Sequence, residues 1–210
     1  MALAVRYLAF ALLLAVAGTA SAQEMARYRV DVTFSWADPD LDAHWSRLIA
    51  FAHSSRYSLF RDGDTASSGL ALVATNGRVS VLEAELAEGR RRGRVGAHVV
   101  VPGIESPGSF SFELDVDEAR NRISFATMLA PSPDWFSGVS SIALRVDDRW
   151  RHRVEVPLWP WDAGADSGSE YTGPNVKTQP RQSVRLLTHP DFLTDEALKP
   201  VGRATFTRLP

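Results

Sequence analysis

Between residues 95 and 158 the chain is cut into five strand-length runs, residues 95–101, 109–116, 122–129, 140–146 and 151–158, by clusters of Gly, Pro, Asp and Asn. Regular short strands with turns between them specify an antiparallel sandwich or barrel. Residues 28–36 alternate apolar and polar side chains, the period of a half-buried strand, and residues 204–209 can add a closing strand. Residues 57–60 are long enough for one brief strand more. Leu41, Trp45, Leu48, Ile49 and Ala52 recur with a helical period behind Asp40, a plausible cap, which predicts a short surface helix over residues 41–52. Residues 66–75 and 79–88 read as short helical or turn segments interrupted by Gly69, Gly77 and Gly89. The Pro/Thr/Gln-rich residues 173–182 read as a long ordered loop, and no internal repeat is present.

The chain has no cysteine, so neither a disulfide framework nor a thiolate metal site nor a Cys nucleophile is open to it. Residues 1–22 carry the marks of a secretory signal: Arg6, an apolar stretch over residues 7–16, then Ala20-Ser21-Ala22 before Gln23. The other reading, an uncleaved anchor, falls short of the roughly 20 apolar residues that a membrane span needs. Cleavage leaves residues 23–210 as one domain, exported to the periplasm or the medium, with no further membrane segment. The formal net charge of −2 for the whole chain removes the electrostatic basis for nucleic-acid binding.

Two loops carry the chemistry. Pro131-Ser132-Pro133-Asp134-Trp135 and Pro160-Trp161-Asp162-Ala163-Gly164-Ala165-Asp166-Ser167-Gly168 each put carboxylates in a tight, Pro/Gly-punctuated segment. In an antiparallel succession the connections alternate between the two ends of the sandwich. The loop after residues 122–129 and the loop after residues 151–158 therefore share an end, where Asp134, Asp162 and Asp166 can converge. The same count sends Asp147 and Asp148 to the far end with Asp115, Asp117 and Glu118, and keeps Glu105 at the near end. Three converging carboxylates repel by about 4 kcal/mol per pair at 4 Å and an effective dielectric near 20, and a bound cation reverses that sign. Gly164 lets the chain curl between Asp162 and Asp166, and Trp135 and Trp161 can stiffen the loops from below. Spacing alone leaves two readings open, a divalent cation or a set of local turn hydrogen bonds.

Other constellations are weaker. No Gly-x-Ser-x-Gly elbow is present to make a hydrolase triad from the Ser, His and Asp residues. His44 and His53 are spaced for structural hydrogen bonding rather than zinc, and His98, His152 and His189 are scattered singly. Arg90-Arg91-Arg92 with Arg94 reads as a solvated turn, with contact to anionic glycans or lipid headgroups as the alternative.

The run from Met128 to Trp135, the run from Pro160 to Gly168, and then Tyr171 with Pro174-Asn175 resemble the spondin domain, the N-terminal adhesion module of F-spondin and mindin. So do His44-Trp45-Ser46, Ala52-His53-Ser54, Tyr57, Leu59, Ala66-Ser67 and Gly69-Leu70, so that the resemblance spans nearly everything after residue 28. It implies an all-β, C2-like antiparallel β-sandwich of about eight strands, here with short helical insertions. It also implies calcium (Ca2+) held at one end by Asp134, Asp162 and Asp166, the set that loop parity selects without it. Ala165 stands where the family often has Thr, which leaves side-chain ligation intact. The cysteines and thrombospondin repeats of animal members are missing, which implies a stand-alone exported version of bacterial kind. The expected function is recognition or adhesion, without catalysis, toward a protein or glycan partner at the cell surface. The rivals are a glycan hydrolase using the same carboxylates and a structural envelope protein in which metal is optional.

Overall fold

The alternation read over residues 28–36 becomes β1 (Met25–Phe34), whose Tyr28, Val30, Val32 and Phe34 are buried while Arg27, Arg29 and Thr33 face solvent. The computed structural model describes residues 24–36 and 42–210; the leader expected over residues 1–22 and the helix start expected at Asp40 and Leu41 lie outside the described residues.

The helix expected over residues 41–52 is, over its described part, two strands, β2 (His44–Trp45) and β3 (Leu48–His53). Every residue of β3 is buried because the strand is covered on both faces. Leu48, Ala50 and Ala52 enter one hydrophobic cluster, and Ile49 and Phe51 enter another. A strand with two apolar faces has no polar positions to show period two, so its residues satisfy a helical template equally well.

The segments read as helical do form helices, α1 (Ser68–Asn76) and α2 (Ser80–Arg91). Ser67 caps α1 by accepting the amide of Leu70, and Gly77 closes it at φ 66°, the left-handed value that Gly tolerates. Residues 57–60 do not form a strand: Ser58 and the Phe60 amide bond to Ser140 Oγ instead of entering a ladder.

The β-rich half follows as β4 (Val95–Val101), β5 (Ile104–Glu105), β6 (Gly108–Asp117), β7 (Arg122–Ala130), β8 (Trp135–Ala143), and the small pair β9 (Arg145–Val146) and β10 (Arg149–Trp150). Then come β11 (Arg153–Leu158), β12 (Pro160–Asp162), β13 (Arg185–Leu186), the small pair β14 (Leu193–Thr194) and β15 (Ala197–Leu198), and β16 (Gly202–Arg208). β8 begins five residues before the expected 140, because Trp135 and Phe136 are buried on opposite sides of it.

One antiparallel sheet has the order β11-β16-β1-β6. The larger one runs β13-β12-β8-β7, and β7 then pairs with both β2 and β3, which pair in turn with β5 and β4. The cluster between the sheets joins Tyr28, Phe34, Phe112 and Phe206 to Trp45, Phe125, Leu129 and Trp135. Phe34 and Trp45 stack across it at 3.6 Å. On the outer face of the larger sheet, Leu70, Val73, Leu82 and Leu86 of the helices cover Ile49, Phe51 and Phe136. The all-β sandwich is thus as expected, and the helical insertions form a third layer on it. Arg91 and Arg92 bond to Glu88 and Arg90 to the Gly96 carbonyl, the arrangement of a solvated turn.

His53 closes β3 as a fully buried polar residue. Its Nδ1–H donates to the Ser54 carbonyl at 2.8 Å, so Nε2 accepts from Ser124 Oγ at 2.7 Å, and Ser124 Oγ accepts the Ser141 amide. Burial above all holds the imidazole below its usual pKa, and the charge of Arg122 adds to this. The contribution to stability is therefore present above about pH 6.5, the unfolded value, and is lost as pH falls through the folded one. His53→Gln is expected to cost about 1–3 kcal/mol at pH 7.5 and to flatten the loss of stability below pH 6.5, read by urea unfolding at several pH values. An equally steep acid limb in the variant would refute that role.

Candidate metal site

The two acidic loops meet because the strands that launch them are neighbours. β12 pairs antiparallel with β8, Asp162 opposite Trp135 and Trp161 opposite Phe136, so the loop entering β8 and the loop leaving β12 project from one end. Ser132 Oγ accepts the amide of Trp135 and tightens the first loop. The Asp134 carbonyl accepts the amide of Ala163 and joins it to the second. Trp135 is buried beneath both, with Tyr171, His189 and Phe192 around it at 4.9 to 6.0 Å between ring centroids. Trp161 rests against Phe60. Gly164 makes the turn at φ 67°, where a Cβ would stand 2.3 Å from the carbonyl oxygen of Gln182.

The three acids are arranged alike. Asp134, fully buried, gives Oδ2 to the amides of Ala165 and Asp166 at 2.6 and 3.0 Å. Asp162 gives Oδ1 to the amide of Gly164 at 2.7 Å. Asp166 gives Oδ1 to the amides of Gly168 and Val176, both at 2.8 Å. One oxygen of each carboxylate thus holds a loop in shape and the other remains. Asp134 Oδ1 is buried without a hydrogen-bond partner, and Asp162 Oδ2 is taken by the guanidinium of Arg185.

A buried carboxylate with an unpartnered oxygen is costly. Burial first, and then the charge of Asp162, push the Asp134 carboxyl up to about 6 despite the two amides, with Asp166 adding to the push. Asp134 is therefore within the field of both other acids, as loop parity requires. Asp162 and Asp166 also line an open groove with Arg185, Ser167 and His189, which gives an ion a way in. Among the described residues no three His, Asp or Glu side chains already stand in metal-holding geometry. The donor chemistry nonetheless fits a hard cation: oxygen only, a second oxygen on each acid outside the loop amides, that of Asp162 shared with Arg185, and an orphaned buried oxygen on Asp134. Main-chain carbonyls and solvent would have to complete the six to eight oxygens of calcium.

The excluded acids are where parity sends them. Asp148 and Glu118 share Arg145 at the other end, Asp115 pairs with Arg27, and Asp117 accepts the amides of Ala119 and Arg120. Glu105 lies opposite His44, which lies opposite Ala130, at the same end as the site. Arg185 is the residue that sequence reasoning missed. It stands directly across from Asp162 in the pairing of β12 with β13, but 23 positions away in the chain, and no periodicity announces so short a strand.

Among the described residues no helix is long and apolar enough to cross a membrane. The Spondin_N family model matches residues 26–196. Spondin-2 of Homo sapiens is 35% identical over 95% of this chain and 69% of its own length, and Spondin-2 of Rattus norvegicus is 34% identical over 90% and 63%. Spondin-1 of Gallus gallus is 34% identical over 84% of this chain but only 24% of its own length, so the likeness concerns one module of that longer protein. Residues 26–196 contain the whole acidic end and both sheets apart from β16 and the edge of β1, and on that extent of agreement the chain belongs to the Spondin_N family.

Proposed function

We propose that the chain is an exported, non-enzymatic recognition or adhesion module whose loop end is ordered by calcium. The observation that carries this reading is the buried Asp134 Oδ1, which has no hydrogen-bond partner and lies in the field of Asp162 and Asp166. Asp134, Asp162 and Asp166 would hold the ion. When bound, it would supply positive charge beyond that of Arg185 and the direct partner that Asp134 Oδ1 lacks. The chain does the rest. Its loop amides hold each carboxylate in place, Gly164 sets the curl, and Trp135 and Trp161 support the loops, which leaves a stiff tip for a protein or glycan partner at the cell surface. Membership of the Spondin_N family supports a recognition role, and the signal-like first 22 residues support export to the periplasm or the medium.

Calorimetric titration with calcium tests the reading: heat of binding in the wild type that vanishes in Asp162→Asn supports it, whereas glycan turnover without calcium heat would replace it with the hydrolase. Extracellular calcium modules bind at about 0.1–1 mM, so 10 mM calcium is expected to stabilise the fold by roughly 1.5–2.7 kcal/mol and to raise Tm by several degrees over a chelator control. A melting temperature indifferent to calcium would leave a structural envelope protein with optional metal as the better account.

Asp134→Asn separates the ion's contribution from that of the carboxylate. The folded pKa of Asp134 lies above the unfolded one, so the ion-free protein loses stability as pH rises from about 4 to about 6, and the ionised group costs on the order of 2 kcal/mol above that window. The amide keeps an acceptor for Ala165 and Asp166 without the charge. In chelator at pH 7.5 the variant is expected to melt above the wild type, and in calcium below it. A variant that melts lower under both conditions would contradict this.

A further inference from the structure

We propose that Arg185 is a built-in competitor for the cation, a residue that sets the affinity of the acidic end and is displaced when the ion binds; this rests on the calcium reading above. Asp162 has one oxygen to offer a metal. Oδ1 is committed to the Gly164 amide inside the turn, and Oδ2 receives both Nη2 and Nε of Arg185, at 2.8 and 3.2 Å. A guanidinium on that oxygen stands where a cation would approach, and the two positive charges exclude each other. The carboxylate side chain is 8% exposed but the Arg185 side chain 63%, so the arginine can swing into water while Asp162 stays.

The backbone lets it do so without unfolding. Arg185 lies on the two-residue strand β13, opposite Asp162, and the main chain on either side is anchored by Val184 N to the Asp64 carbonyl and Leu187 N to the Pro160 carbonyl. Only side-chain torsions need change. The groove that Arg185 lines with Asp162 and Asp166 is open, so a displaced guanidinium has space. The guanidinium lies largely in water, which weakens its hold on the buried carboxylate and makes the competition a matter of several-fold rather than of abolition.

Arg185→Met tests this by calcium calorimetry together with thermal melts. The expected result is a Kd for calcium roughly three- to tenfold lower than wild type. Tm in chelator falls by a few degrees, because the cluster loses its only positive side-chain partner among the described residues, while Tm in saturating calcium matches wild type. Arg185→Lys, which keeps the charge without the fork, should lie between the two. An unchanged Kd, or an equal Tm loss in chelator and in calcium, would show an ordinary surface ion pair and overturn the proposal. If the wild type itself takes up no calcium, the calcium reading fails first, and Arg185 has no cation to compete with.

Discussion

The chain leaves one sheet at Leu158 and enters the other at Pro160, and the acidic end depends on that crossing. β11 runs beside β16 in the smaller sheet, and β12 runs beside β8 in the larger, with only Trp159 between them. The crossing is fixed from both sides, by Ser137 Oγ bonding to the Trp159 carbonyl and by the Val201 amide bonding to that of Leu158. A strand that switches sheets at a corner is a known device of packed β-layers. Here it brings the second acidic loop beside the first.

The middle of the larger sheet, β3, β7 and the first half of β8, is buried on both faces, and this bears on what is legible in the sequence. Strands with one wet face, β1 and β6, show alternation and were readable over almost their full length. Strands covered by the opposite sheet on one face and by α1 and α2 on the other, β3 and the first half of β8, show continuous apolar character. The first satisfies a helical template, and the second shows a strand signal only from residue 140, five residues after it begins. Loop parity puts the two acidic loops at one end, and the pairing of β12 with β8 has them there, although the strands between belong to two sheets. The chain reverses once between β8 and β11, and β12 continues β11 past Trp159 antiparallel to β8, so the loop after β12 returns to the end of the loop before β8. Arg185 stayed hidden for a different reason. Its partner is fixed by the tertiary course of residues 167–184, and a two-residue strand carries no pattern of its own.

The electrostatics of the site explain why three acids are tolerated so close together. Every one of them is held by main-chain amides of the loops, so the carboxylates are structural acceptors whether or not a cation binds. The same hydrogen bonds that shape the loops fix where the remaining oxygens lie, which is the pre-organisation that a metal site requires. The cost falls on Asp134, the member with the deepest burial, whose carboxyl is driven up to about 6.

Two cations can relieve that cost, and they differ in reach. Arg185 approaches from the solvent side and bonds to Asp162 alone among the three acids, leaving Asp134 Oδ1 without a partner. A small ion, which has no side chain to accommodate, would on the proposed reading serve buried and exposed oxygens together. The guanidinium therefore compensates part of the charge at little conformational cost and the ion compensates more of it. On the proposed reading this difference would make the pairing reversible, because a site fully neutralised by its own arginine would have no affinity left for a metal, and a site with no counter-ion would strain the fold whenever metal was scarce.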